Sequence, residues 1–559
     1  MSLLASVLIH TPHIDYTAIM PELICLGGAL ALLMTGALAV RQIPTVVYTA
    51  MSVAISVAAL VSSLVLWHVV QLHGPFAAVA KSLAIDGFSV AFVVLATCIL
   101  IVAAFVADGY LRREEIHGPE YHALALLAAS GAMFMAAAND LIVIFLGLEI
   151  MSIPLYILAG LDLRRQESGE AAMKYFVLGA FSSAIFVYGI ALTYGATGST
   201  NLAEIASFLA SNVLTSNGLL LAGLALLLVG FGFKIAAVPF HMWTPDVYQG
   251  APTPATGFMA AIAKVGGFAA LLRVFFSSFS TLAIDWKPLL FVVAILTLLT
   301  GAVLGLVQRD IKRMLAYSSI NHAGFILLGL QAAIASGIAA SLYYVFVYAF
   351  LVLGSFIVIT LMGARGDKVH EIESYRGLGR RQPVLALCFA VLLLAQAGVP
   401  FTTGFLAKLY VVEAAVQAHS YALAVLAMLS GAIAAAFYLR VVFLMYGTGA
   451  AASEARVAAA MPGGAAAGES ELQASSVGPP PLDSESPAMA AGRGGGVAIA
   501  ATGVATVTAA LPAPAFDRQR VEVPLGAQIG LFLTVGFTVV LGIWPAPLFD
   551  FVHAAKLLF

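Results

Sequence analysis

The chain has 559 residues, of which 62% are hydrophobic and only 10% charged, with a formal net charge of −2 and a mean hydropathy of +1.01. A soluble domain is about 45–50% apolar and about 25% charged, so a water-soluble globular fold is excluded and the bilayer is the solvent to reason with. The near-neutral balance also leaves no basic field for nucleic acid.

A membrane helix needs about 20 mostly apolar residues to cross a hydrocarbon core about 30 Å thick. In chain order, runs of that kind fall near 20–40, 44–67, 85–107, 121–138, 141–160, 171–195, 218–240, 254–278, 288–307, 314–332, 335–363, 383–418, 420–446 and 526–548. The expectation is an all-α polytopic membrane protein of about fourteen transmembrane helices. The opening residues carry neither a basic n-region nor an A-x-A cleavage site, so insertion is expected to use the first transmembrane helix itself. Cys25, Cys98 and Cys388 stand singly in apolar runs and have no metal-ligand spacing.

Lys and Arg accumulate in the cytoplasmic loops of membrane proteins. One alternate set of loops carries seventeen of them, among them Arg112, Arg113, Arg164, Arg165, Arg309, Lys312, Arg313, Arg380 and Arg381, against only Lys81, Lys287 and Lys556 in the other. Both termini are therefore expected on the outer side. Residues 447–523 read as a disordered cytoplasmic Ala/Gly/Pro-rich insertion. A fifteenth span inside it would put Arg493 and Arg518 in opposite compartments.

The segment from Ala236 to Phe240 (AAVPF) recurs from Ala397 to Phe401 (AGVPF), each copy interrupting a hydrophobic run. Proline removes a backbone donor and clashes with the preceding turn, so such a break survives in lipid only where protein or water satisfies the freed groups. The copies fall in the seventh and twelfth runs, an odd spacing, so they cross in opposite directions, as in inverted-topology repeats. The domain expectation is three N-terminal helices in 1–120, a first repeat in 121–278, a second, inverted repeat in 288–446, the insertion, and a last helix in 524–559, with discontinuous helices near Pro239 and Pro400.

An ionisable residue at helix-centre depth costs at least about 2.5–3.5 kcal/mol, which makes each one a functional candidate unless it can snorkel. Glu149, Lys234, Lys264 and Lys408 lie at such depths. Lys174 and Glu170 are one turn apart near the start of the sixth run, where a surface pair and a role in proton transfer are both open readings. His322 could relay protons or be a hydrogen-bonded core residue. Arg273, Glu413 and Asp140 lie nearer span ends and read as interface or supporting charges. The chemistry suggested is proton movement between carboxylate and amine, with Glu149 partnered by Lys234. No nucleotide, haem or iron–sulfur motif accompanies these residues, so any redox chemistry is expected in partner subunits.

The stretch FKIAAVPFHMWTPDVYQGAPTPATGFMAAIAKVGGFAALLRV, opening at Phe233, and DIKRMLAYSSINHAGFILLGL, opening at Asp310, resemble the signature of the proton-conducting membrane transporter family. That family is shared by the antiporter-like subunits of proton-pumping NADH:quinone oxidoreductase (respiratory complex I) and by Mrp antiporters. The resemblance covers nearly all of residues 20–446. The early Pro21-Glu22-Leu23, the stretch from Lys174 to Leu202 and lysine at position 408 are most similar to its N-type branch. The resemblance implies that Glu149 and Lys234 form a coupling pair, that Lys264 is a central lysine and Lys408 the terminal proton site, and that Lys174 modulates the pair while His322 lies between the two later lysines. It implies a translocase subunit of a bacterial inner membrane, without a cofactor of its own. FMN, iron–sulfur clusters and quinone are expected in other subunits, with neighbouring antiporter-like and small membrane subunits and the lipid bilayer as partners. An Mrp-type cation/proton antiporter and a membrane-bound hydrogenase-type complex are the alternatives.

Overall fold

The computed structural model describes residues 14–39, 43–212, 217–447 and 522–558. The expected insertion lies, apart from its edges, outside them. In chain order come α1 (Met20–Leu38), α2 (Thr45–His73), a hairpin of β1 (Phe76–Ala78) and β2 (Leu83–Ile85), α3 (Gly87–Arg113), α4 (Glu120–Ala137), α5 (Leu141–Ala159), α6 (Gln166–Thr197) and α7 (Leu202–Ser211). Next are α8 (Gly218–Ile235), α9 (Trp243–Gly250), α10 (Thr253–Arg273), α11 (Ala283–Leu306), α12 (Ile311–Ala332) and α13 (Ala335–Met362). The chain continues through α14 (Leu378–Arg381), α15 (Pro383–Ala397), α16 (Thr403–Gln417), α17 (Tyr421–Tyr446), α18 (Leu525–Ile543) and α19 (Ala546–Ala554). Among the described residues, eleven helices are long and apolar enough to cross a membrane.

Several helices outrun their apolar stretches. α6 begins at Gln166 rather than near 171, because a helix continues past the hydrocarbon core into residues that hydropathy does not register. The 526–548 run splits into α18 and α19 at Trp544-Pro545. The hairpin, α7 and α9 were not anticipated. Local chemistry explains many starts: Asp86 and Ser89 form a reciprocal capping box on α3, and the side chains of Asp140, Asn201 and Asp310 accept from first-turn amides of α5, α7 and α12.

Small residues that allow close approach, and ionisable residues that lipid would reject, place a helix at the centre of a membrane bundle, and α10 has both in its Ala and Gly residues and Lys264. The most apolar part of α10 is 100% buried, against 33% for α6. α10 packs against α3, α4, α5, α8 and α13, and α13 in turn against α12, α15, α16 and α18. The helix carrying Lys264 is thus the hub.

The two expected breaks are present. α8 stops at Ile235 with Ala236 in the left-handed region (φ +59°), and the chain resumes as α9. α15 stops at Ala397 with Gly398 at φ +91°, and α16 begins close against it. A Cβ at Gly404 would lie 1.9 Å from the Ala395 carbonyl oxygen, so that close approach requires glycine.

Arg273 is not an interface charge. It is 1% exposed at the end of α10 and donates through Nη1 (2.9 Å) and Nη2 (2.8 Å) to Asp86, itself 0% exposed, and through Nε to the Ala136 carbonyl (3.0 Å). Asp86 also accepts from the Ser89 and Leu558 amides. One carboxylate therefore joins α3, α10 and the chain after α19. Removing one partner of such a pair leaves an uncompensated buried charge, so Arg273→Met should destabilise the bundle by about 3–5 kcal/mol. The Asp86→Asn/Arg273→Met double variant should lose less than Arg273→Met alone. Thermal stability in detergent measures both, and an additive loss would contradict the pairing.

Candidate functional site

Lys234 closes the last turn of α8 and is 2% exposed. Its Nζ donates to Ser152 Oγ on α5 (2.8 Å) and to the Tyr175 hydroxyl on α6 (3.4 Å), beside the rings of Tyr175 and Tyr156. Glu149 stands one turn before Ser152, half-buried, and accepts from the Ser183 hydroxyl of α6. No ion pair within 4 Å joins Glu149 to Lys234, so the two interact electrostatically across a gap rather than by contact. The carboxylate end is taken up by α6, and the shorter Ser152 side chain reaches Lys234 instead. A cavity of about 10 Å³ is lined by Ser152, Ser183 and Lys234, close to the volume of about 10–15 Å³ that one water needs.

Lys264, at the middle of α10 and 2% exposed, donates to the Ile235 carbonyl (2.7 Å) and lies 5.7 Å from the centre of the Tyr348 ring. Lys408, near the start of α16, donates to the Ala397 carbonyl (2.9 Å) and sits 5.0 Å from the Phe325 ring centre. A helix end leaves its last carbonyls without intrahelical donors. Each break therefore supplies the acceptor on which a buried ammonium rests.

Near these lysines lie two separate hydrogen-bonded groups of hydroxyls, one around Ser319 and one around His322, which meet where the His322 and Tyr348 rings lie 5.4 Å apart. The Tyr348 hydroxyl donates to Ser319 Oγ (2.7 Å), which lies 3.5 Å from the Tyr248 hydroxyl. His322 shares hydrogen bonds with the hydroxyls of Tyr344 (Nδ1, 2.8 Å) and Tyr438 (Nε2, 3.2 Å). Tyr438 also bonds Ser318, which donates to Gln396 Oε1 (3.2 Å). The bland and the functional readings of His322 thus meet in one geometry: it is fully hydrogen-bonded and stands within a polar chain. Sequence reading passed over these tyrosines, although hydroxyls inside apolar runs, as in SLYYVFVYAF from Ser341, need buried partners.

Lys174 is set apart from this interior. It is paired with Glu170 (2.7 Å) and Asp246 (3.0 Å) at the rim of a cavity of about 820 Å³. Arg165, Arg313, Asp367 and His370 line the same cavity, on the face that carries the basic loops. Asp367 is the buried anchor there. It accepts from the Thr253 amide (3.1 Å) and hydroxyl, which caps α10, and pairs with Arg165 (3.1 Å), Lys312 (3.6 Å) and His370 (3.3 Å). Burial alone would push its carboxyl up, but the Lys312 charge, His370 and the Thr253 donors outweigh burial and hold it well below the usual carboxylate range. Glu413 bonds only Gln417 on its own helix and Asp140 serves as a cap. Among the described residues no cluster of three or more His, Cys, Asp or Glu could hold a metal ion.

Residues 138–434 match the family described as NADH:quinone oxidoreductase/Mrp antiporter, transmembrane. NADH-quinone oxidoreductase subunit N of Trichlorobacter lovleyi is 46% identical over 66% of this chain and 75% of that protein. The protein of the same name from Parafrankia sp. is 42% identical over 77% of this chain and 86% of its own length. A chain of the structure of respiratory complex I from Thermus thermophilus with bound Aureothin is 30% identical and superimposes with a TM-score of 0.70, over 95% of this chain and 99% of that one.

Asp367→Asn should lower thermal stability near neutral pH, since it removes the cap of α10 and the partner of Lys312. The sign of its pH dependence follows from the depressed carboxyl. Stability from this group is complete above the unfolded-state value of about 3.9 and is lost as pH falls towards the folded-state value. The gap between wild type and variant should stay constant from about pH 8 to about pH 5 and narrow only below about pH 4. A gap that closes already between about pH 7 and pH 5 would show that Asp367 is not held ionised.

Proposed function

The chain belongs to the NADH:quinone oxidoreductase/Mrp antiporter family, and from that premise we propose that it acts as the proton-translocating subunit N of an NADH-quinone oxidoreductase. In this reading it lies in a bacterial inner membrane among other membrane subunits, with both termini on the outer side. It contributes no redox centre. NADH oxidation, with FMN, iron–sulfur clusters and quinone, takes place in partner chains. The names of the relatives, more than 40% identical over most of their length, favour this over an Mrp-type or hydrogenase-type assembly.

The observation that carries the mechanism is the row of three buried lysines, each resting on neutral oxygen atoms rather than on a carboxylate. An ammonium in hydrocarbon is costly without compensation. Here carbonyls, hydroxyls and aromatic faces supply enough to tolerate the charge, while no carboxylate pins it. Protons pass between Lys264 and Lys408 by way of His322 and the tyrosine hydroxyls bonded to it, with water needed to join these groups to the lysines. Glu149 biases the row electrostatically, acting on Lys234 across the space between Ser183 and Ser152 rather than by contact. Lys174 responds to charge at the rim of the large cavity.

Adding α4, α12 and the α15/α16 pair to the eleven long apolar helices, of which α8 with α9 is already one, gives fourteen crossings. Inverted repeats then occupy 121–278 and 288–446, with the broken helices in corresponding places.

Lys408→Ala should lower coupled NADH:quinone turnover and proton pumping by about tenfold, a barrier change of about 1.4 kcal/mol. Lys408→Arg should not restore them, because guanidinium stays protonated. Full activity of Lys408→Ala in membranes with normal complex content would remove this residue from the path. At position 149, Asp keeps the charge and should retain more activity than Gln, which keeps the size. If Glu149→Gln pumps and turns over like wild type, charge at this position does not couple the subunit.

A further inference from the structure

α9 is attached to its neighbours by side chains rather than by continuous helix. A seven-residue loop precedes it and Ala251-Pro252 follows it, so its position depends on what its residues grip. At its first residue, the Trp243 indole stacks on Tyr175 with centroids 4.4 Å apart and planes 9° from parallel, and Nε1 donates to the Phe233 carbonyl beside Lys234 (2.9 Å). Tyr175 is itself a hydrogen-bond partner of Lys234. Five residues on, the Tyr248 hydroxyl lies 3.5 Å from Ser319 Oγ, which accepts from the hydroxyl of Tyr348, whose ring lies beside Lys264. An eight-residue helix about 12 Å long thus touches the surroundings of both lysines.

Its third grip is electrostatic. Asp246 is held from one side by Lys174 of α6 (3.0 Å) and from the other by Arg313 of α12 (2.7 Å). These side chains are only about one-third to two-fifths exposed, at the rim of the large cavity. Lys174 also has a second partner on its own helix, Glu170 at 2.7 Å, whereas Arg313 adds a second bond to α9 through Gln249 (3.1 Å). Partly solvated pairs are individually weak, and on the Lys174 side the alternative at Glu170 lowers the cost of release further. The clasp is therefore suited to open and close as charge nearby changes.

We propose that α9 is a lever joining the surroundings of Lys234 and Lys264, and that Asp246 is the positioning residue that sets it through the Lys174–Asp246–Arg313 clasp. With the clasp closed, Trp243 keeps Tyr175 against Lys234 and Tyr248 stays on Ser319. With it open, both contacts loosen together, so the two sites respond as a pair. The proposal rests on the proton-translocation reading above.

The test is a double-mutant cycle in the intact complex in native membranes, following complex content, NADH:quinone turnover and protons moved per electron. Asp246→Asn should lower protons per electron at least about threefold with normal complex content, a coupling change on the scale of about 0.6 kcal/mol. Asp246→Glu should recover most of the loss. Arg313→Gln should lower the ratio too, and the Asp246→Asn/Arg313→Gln pair should be no worse than Asp246→Asn alone. If Asp246→Asn fails to assemble, Arg313→Gln and Arg313→Lys carry the test, with a reduced ratio at normal content expected. A wild-type ratio in whichever set assembles, or strictly additive losses, would overturn the lever. The same assays on Lys408→Ala separate the two claims: a loss there beside an unaffected Asp246 set sinks only the lever, whereas wild-type behaviour of both sinks the proton-translocation reading itself.

Discussion

In a hydrocarbon core a broken helix exposes carbonyls that no water can satisfy, and a lone ammonium is as costly as the broken helix. This chain sets each need against the other. The Ile235 carbonyl at the end of α8 receives Lys264, and the Ala397 carbonyl at the end of α15 receives Lys408. Neither the breaks nor the buried lysines would be tolerable alone, and much of the interior is arranged around that exchange. α10 must run through the centre to bring Lys264 to the first break, and α16 must fold back tightly after the second, which is why Gly404 has no room for a side chain.

Charge is handled differently at the ends of the helices and in the middle. Arg273 with Asp86, and Asp367 with Arg165, Lys312 and Thr253, are saturated with charged and hydrogen-bonded partners and pin α10 at both ends. Removing a partner there leaves a buried charge, so such pairs hold geometry. The three interior lysines rest on neutral oxygens and aromatic faces instead. A frame fixed by paired charges thus surrounds a row of lysines that no carboxylate holds, the arrangement on which the proposed proton transfer rests.

Composition and run length made the membrane class and most helix positions legible, since a polar backbone in lipid has few solutions. The AAVPF and AGVPF segments marked both breaks, because proline cannot continue a helix ladder. Depth within apolar runs singled out Glu149, Lys234, Lys264, Lys408 and His322. All of these are properties that a one-dimensional chain carries.

Partner choice was not legible. Glu149 and Lys234 looked like a pair because each needed one, yet the carboxylate went to Ser183 and the amine to Ser152. Arg273 looked peripheral by its place near a span end, but neighbouring helices cover that end completely. α9 was hidden because eight residues with a mixed pattern have no period to read. Sequence by itself determined which groups lie deep in the membrane and where the helices must break. Only the tertiary structure decided what each group touches, because side-chain partners come from helices far apart in the chain, and their distances depend on packing that no local pattern encodes.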